Sequence, residues 1–396
     1  MWKFTKFPHF YILLQIFFVY LHPNMEQMQF TAIVLMTLLT LKLLLLPVKA
    51  MQNVVVNRSR WLFVASMVIL ILQFLLQYTL HLRAMGVTQA VMLNLVMFVP
   101  AAWLMTLAIF CLQRRGQINS LDRWSGPVTW GVVMLLLGGA VLVSGKPLLS
   151  DTPEMRWAEI ISAVCFATML GYFTWRHLKN LSAMRQSLQN YYDRDMDHLL
   201  RWMRWGVIIL PIMGLMVPVL IFVPNLLLAL FAILLFGGIF YLVDCFCIYV
   251  ASSAPAKVRE AEENEEQEEL EKDKETDQEQ DSGCMSPTAF QRVEHAVEQW
   301  KESGGHLQSG LKLPNAANAI GVPQYLLSCW LRQQNLKYNE WITDLRIEEA
   351  KRMLTEHPDW SNEAVALHCG FTDRSYFQKK FKETTGFSPS DFISRH

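Results

Sequence analysis

Apolar residues run almost unbroken through much of the first 250 positions, whereas after residue 286 they recur every three or four positions among charged ones. The first pattern suits helices in lipid. A hydrocarbon core about 30 Å thick takes roughly 20 apolar residues in helical form, because each segment must satisfy its own backbone polar groups. Seven stretches have that length, near residues 28–47, 61–82, 87–112, 128–145, 157–175, 205–223 and 226–250. A shorter run, YILLQIFFVYL at 11–21, follows Lys3 and Lys6 and reads as an eighth span, a signal-peptide core or an interfacial stretch. The HPNMEQMQ that comes next offers no small-residue cleavage site.

The joints between spans carry an orientation. Lys49, Arg58, Arg60, Arg114, Arg115, Arg123, Arg176, Lys179, Arg185, Arg194, Arg201 and Arg204 fall on one side, and only Arg83, Lys146 and Arg156 on the other. Twelve cations against three place the first side, and the chain after residue 250, in the cytoplasm. Inside the spans, Asp244 is the candidate functional residue, with a paired or hydrated structural role as the plainer alternative. Lys42 is expected to snorkel. Gln73, Gln77 and Asn94 are placed to bond across helices or line a cavity, and Pro211 and Pro218 predict a kink.

The longest joint, 176–204, spaces Leu178, Leu181, Met184, Leu188, Tyr192, Met196 and Leu199 three or four apart. That is an amphipathic helix, suited to docking on the C-terminal domain, to lying on anionic lipid, or to serving as a helical extension of the neighbouring spans that packs on itself. Residues 254–285 are of a different kind. Positions 254–283 hold 13 Asp/Glu against 4 Lys/Arg and little that buries, which predicts a flexible tether with no more than a transient helix around Glu268 and Lys272.

From Pro287 the spacing predicts a compact helical domain. Phe290, Val293, Val297 and Trp300 share one helix face. A helix, a turn at Gly321 and a second helix follow. After a long helix through LRIEEAKRML comes another helix–turn–helix, with Ser361 opening the first helix, Gly370 in the turn, and Thr372 or Asp373 as cap. In the last of these helices Tyr376, Phe377 and Phe381 face inward, while Arg374, Ser375, Gln378, Lys379 and Lys382 project outward. This is the arrangement of a helix that reads bases with its first turns and holds phosphates with its cations.

Residues 286–396 resemble the DNA-binding domain of the AraC/XylS family of bacterial transcription regulators. LRIEEAKRML is similar to its linker helix and GFTDRSYFQKKFKETTGFSPSDF to its C-terminal signature. The resemblance implies two helix-turn-helix units in successive major grooves. It adds Gln324, Tyr325 and Ser328 of the first unit to the DNA-binding candidates, and it implies double-stranded promoter DNA and RNA polymerase as partners. The first unit departs from the family pattern: Pro323 stands at the usual Ser cap, Gln324 and Cys329 at frequent Arg positions, and Asn335 at the later glycine. Base reading is therefore expected chiefly from the second unit.

Charge adds one constraint. The overall balance of 35 cations to 35 anions hides 18 against 9 in residues 1–253 and 13 against 13 in 284–396, so the C-terminal domain is neutral and phosphate attraction must be local. The seven cysteines show no CxxC or His-spaced cluster, which argues against zinc and against a disulfide framework. No GxxxxGK[ST], GxSxG or HExxH is present, and neither a catalytic residue nor a cofactor or metal is expected.

The expected fold is all-α: a polytopic transmembrane helix bundle (1–253), an acidic flexible linker (254–285) and a cytoplasmic AraC-type double helix-turn-helix domain (286–396). The expected function is a membrane-anchored transcription regulator in the bacterial inner membrane, tied to the lipid bilayer, that couples a small-molecule or protein signal to promoter control. A homodimer is compatible with it. The competing readings are a transporter or membrane enzyme with a regulatory appendix, and a membrane anchor bearing a protein-interaction module.

Overall fold

The computed structural model describes residues 25–46, 53–82, 87–147, 150–219, 225–252, 254–276 and 285–394. Among these the secondary structure is helical: α1 (Met25–Leu44), α2 (Val54–Thr79), α3 (Val87–Gln113), α4 (Ser120–Ser144), α5 (Pro153–Tyr191), α6 (Arg201–Val219), α7 (Asn225–Ala251), α8 (Ala254–Thr276), α9 (Pro287–Glu302), α10 (Leu313–Ile320), α11 (Gln324–Gln333), α12 (Tyr338–Glu356), α13 (Asn362–His368), α14 (Arg374–Thr385) and α15 (Pro389–Ile393). Two compact units emerge, one formed within Met1–Leu181 and Trp202–Ser252, the other within Ser182–Arg201 and Ser253–His396.

In the first unit, α1 to α5 and α7 are long and apolar enough to cross a membrane. α6 is not among those six, and the end of the span expected at 205–223 lies outside the described residues, as does the run at 11–21. Large apolar side chains point outward, Leu142 at 84% and Leu135 at 77% exposure among them, an arrangement that lipid satisfies and water does not. Small residues let α2 and α3 approach: Ser59 Oγ donates to Ala108 O at 2.7 Å and Ser66 Oγ to Ala101 O at 2.8 Å. Gln73 and Gln77 both donate to Asn94 Oδ1, at 2.8 and 2.7 Å. Lys42, expected to snorkel, instead pairs with Asp244, so each offsets the other's charge inside the bundle. Asp122, fully buried, accepts from Tyr172 Oη at 2.9 Å and Arg176 Nη2 at 3.0 Å, with Arg114 Nη1 at 3.5 Å.

The second unit has two apolar cores threaded by one helix. Val293, Val297, Trp300, Leu327, Trp330, Trp341 and Ile342 form the first; Ile347, Ala350, Leu354, Val365, Phe371, Phe377 and Phe381 the second. α12 supplies both. Between them Arg346 donates from Nε to His306 O at 3.0 Å and from Nη2 to Gln308 O at 2.7 Å and Asp193 Oδ2 at 2.9 Å. Both side chains of that ion pair are nearly solvent-free, at 2% and 4%, and Asp193 Oδ2 also accepts Leu311 N–H at 2.9 Å. The 176–204 joint is both a helical extension of its span, since α5 runs unbroken to Tyr191, and a docking segment from Ser182 onward: Met184, Leu188, Tyr192 and Met196 are buried, and Tyr192 bridges Lys312 in antiparallel fashion.

Two local expectations change. The acidic segment, read as a flexible tether, is helical from Ala254 to Thr276. Ala254, Val258 and Ala261 make a narrow buried stripe at helical spacing, Glu and Lys are good helix formers, and Arg259 pairs with Glu263 one turn on at 2.6 Å. Composition had masked that stripe. Cys329 is disulfide-bonded, where the spacing of the cysteines suggested none.

Because removal of Asp193 strands a buried guanidinium, Asp193→Ala should lower the opening free energy of α12 by about 3–5 kcal/mol. Hydrogen exchange on the full chain in detergent micelles reads it. A change under about 1 kcal/mol would contradict the structural weight given to the pair.

Candidate nucleic-acid interface

The second helix-turn-helix is built by three local devices. Ser361 Oγ accepts Ala364 N–H at 3.1 Å and opens α13. Gly370 then takes φ +80°, with so little room that an added Cβ would lie 2.4 Å from Leu307 O and 3.0 Å from Arg346 Nε. Asp373 Oδ1 accepts Tyr376 N–H at 2.7 Å and caps α14. Phe377 and Phe381 are fully buried, which fixes the rotation of α14.

That rotation leaves Arg374, Ser375, Lys379 and Lys382 exposed on α14, with Gln378 half-buried beside them. Lys379 lies 3.8 Å from Glu383. Arg374 and Lys382 form no ion pair among the described residues, so two cations at this surface are uncompensated. Arg194, marked by the sequence only as a cation of the cytoplasmic joints, donates from Nη1 to Thr372 Oγ1 at 3.1 Å just before α14. The backbone N–H of Asp195 donates to Tyr376 Oη at 3.1 Å, which explains why Tyr376 is only partly in the core. Burial pushes the Tyr376 hydroxyl above its ordinary range, and its bonds to Thr343 and Asp195 temper the rise.

The first unit is assembled similarly but faces protein. Gly321 at φ +81° turns α10 into α11, Pro323 caps α11 without a side-chain bond, and Asn335 adopts the left-handed φ +56° that the family's glycine would take. Of the candidates here, Gln324 and Tyr325 are half-buried and Ser328 is buried. The carboxylate of Glu268, from α8, gathers this face: Arg332 Nη2 donates to it at 3.0 Å and Gln324 Nε2 at 3.4 Å, with Ser328 beside them. Burial pushes the Glu268 carboxyl above the ordinary carboxylate range, opposed by those three partners. Earlier on α8, Glu260 accepts from Tyr191 and Tyr192 and pairs with Lys312. Burial would raise its carboxyl, but Lys312 and the two hydroxyls outweigh that and hold it below the usual range. Among the described residues no group of three His, Cys, Asp or Glu side chains is placed to hold a metal.

A family model described as a helix-turn-helix domain matches residues 316–395, the stretch from α10 to the end of the chain's last helix and beyond it. The C-terminal domain is an AraC-type helix-turn-helix domain. Regulatory protein PocR of Salmonella typhimurium is 31% identical over 88 residues, 22% of this chain and 29% of that protein. The uncharacterized HTH-type transcriptional regulator YijO of Escherichia coli is 33% identical over 21% of this chain and 30% of its own length. YesN of Bacillus subtilis, an uncharacterized transcriptional regulatory protein, is 32% identical over 18% and 19%. The matched part therefore spans less than a third of each of these relatives. No solved structure matches.

Two predictions follow from this AraC-type domain. Replacing Arg374 and Lys382 together by Ala should weaken binding of a labelled mixed-sequence duplex and lower the slope of log affinity against log salt by up to about two, measured by anisotropy; unchanged affinity would remove α14 from the interface. Gly370→Ala should open α13 and α14 to hydrogen exchange far more than Gly321→Ala opens α10 and α11. Gly321 has open space around its absent Cβ, so only the left-handed backbone cost of about 1 kcal/mol remains there. Equal effects at the two turns would contradict the close approach to Leu307.

Proposed function

We propose that this chain is a membrane-anchored, sequence-specific DNA-binding transcription regulator that couples a signal at the membrane to promoter control. The observation that carries the reading is the open, uncompensated cationic face of α14, set on a buried aromatic core within a segment that matches a helix-turn-helix domain. Six helices long and apolar enough to cross a bilayer, in the same chain, support the anchor. The excess of Lys and Arg on alternate joints supports a cytoplasmic C-terminal domain, where DNA is accessible. Asp244, paired with Lys42, gives the transporter reading little support.

The chemistry fits a one-component device. Helix dipole, caps and cations on α14 suit phosphate, Arg374 and Gln378 suit base edges, and the anchor removes the need for a diffusible messenger. The test is chromatin immunoprecipitation of the full-length protein, with membrane fractionation and a blot against the C-terminus on the same cells. Discrete promoter sites with intact protein in the membrane fraction are expected. Promoter sites accompanied only by a shorter soluble fragment would replace tethered action by release, and no enriched sites under any growth condition would overturn the DNA reading.

A further inference from the structure

Half of the DNA-reading machinery of this domain is covered by the chain's own acidic helix. α11 stands in the position of the first unit's recognition helix, following the turn at Gly321 as α14 follows Gly370. Yet where α14 shows bare cations, α11 turns Gln324 and Arg332 onto one carboxylate of α8. Glu268 is itself 9% exposed in its side chain, so it lies in the interface and not on its rim. A carboxylate taking bonds from an Arg and a Gln on a recognition helix occupies the chemical place of a phosphate oxygen, since the same donors hold the DNA backbone.

We propose that α8 is an autoinhibitory element: a phosphate mimic that competes with DNA for the first helix-turn-helix unit, leaving only α14 available until α8 is withdrawn. This rests on the reading of the domain as DNA-binding. Two features make the contact exchangeable. It is polar, and it is incompletely packed: a cavity of about 460 Å³ remains against it, lined by Asn190, Asn264, Glu265, Arg332 and Tyr338 among others. Its hold on the domain is also split, since Glu260 anchors α8 separately through Tyr191, Tyr192 and Lys312. α8 follows directly on α7 in the chain, so a change in the last apolar helix has a covalent route to the lock.

The experiment uses the full chain in detergent micelles and a fluorescein-labelled mixed-sequence duplex. Glu268→Ala should tighten binding about tenfold, within the range of ordinary coupling between sites. Glu266→Ala removes the same charge from an exposed position on α8 and should change binding by less than about twofold, since salt screens exposed charge. Hydrogen exchange supplies a readout independent of affinity: adding the duplex to the unaltered chain should speed exchange in α8. If Glu268→Ala and Glu266→Ala act alike, or α8 exchanges no faster with DNA bound, autoinhibition is overturned while weakened binding by Arg374→Ala keeps the DNA reading standing. If no variant binds the duplex at any salt, both fall together.

Discussion

The ion pair between Arg346 and Asp193 governs how much of the chain behaves as the C-terminal unit. Burying two charges costs several kcal/mol per ion, which is recovered only when both are fully hydrogen-bonded. Here each ion has several partners: Arg346 reaches His306 O, Gln308 O and Asp193, and Asp193 also takes Leu311 N–H. One guanidinium thereby ties α12, the turn before α10 and the stretch after α5 into a single body. Phe371 lies 5.9 Å beneath it, so the second core presses on the same point. The helix that joins the two helix-turn-helix units is thus also the helix that fastens the domain to residues 182–201.

From this fastening follows the placement of acid and base. With Asp193 fixed, Tyr191 and Tyr192 point their hydroxyls at Glu260, and α8 lies along α11 with Glu268 facing Arg332. The acidity of 254–276 then has a directed use at Glu260, Glu265 and Glu268, the second accepting from Ser187 Oγ, while Glu263 pairs with Arg259 within the helix. The neutrality of residues 284–396 has its counterpart in this arrangement. A domain without excess positive charge has little non-specific attraction for DNA, so a small internal competitor suffices to influence it.

Most of the architecture could be read from pattern. Long apolar runs and three-to-four spacing are strong signals because they repeat over many residues, and α14 was legible down to its face because Phe377 and Phe381 fix it while Asp373 and Gly370 bound it. Two things were hidden for definable reasons. The stripe Ala254, Val258, Ala261 is made of small residues inside a charge-rich segment, so composition argued for disorder although helical spacing was present. The partnership of Arg346 with Asp193 joins positions 153 residues apart, and no local pattern encodes such a pair. The amphipathic run from Leu178 to Leu199 signalled a buried face without saying what would bury it.

The size of the Glu268 contact is what suits it to control. Arg332 is 59% exposed, so its bond to Glu268 is screened and worth no more than about 1 kcal/mol, with the bond from Gln324 adding a similar amount at most. A lock of roughly 1–2 kcal/mol biases an equilibrium by about 5- to 30-fold, and any signal that favours the open state by the same amount reverses it. The Arg346–Asp193 pair is unsuited to that role. Breaking it would leave charge stranded in a closed core, a cost too high for a reversible switch. The unit therefore divides its electrostatics by burial: the dry pair holds the domain together, and the half-wet contact on α11 is the one that a modest input can exchange.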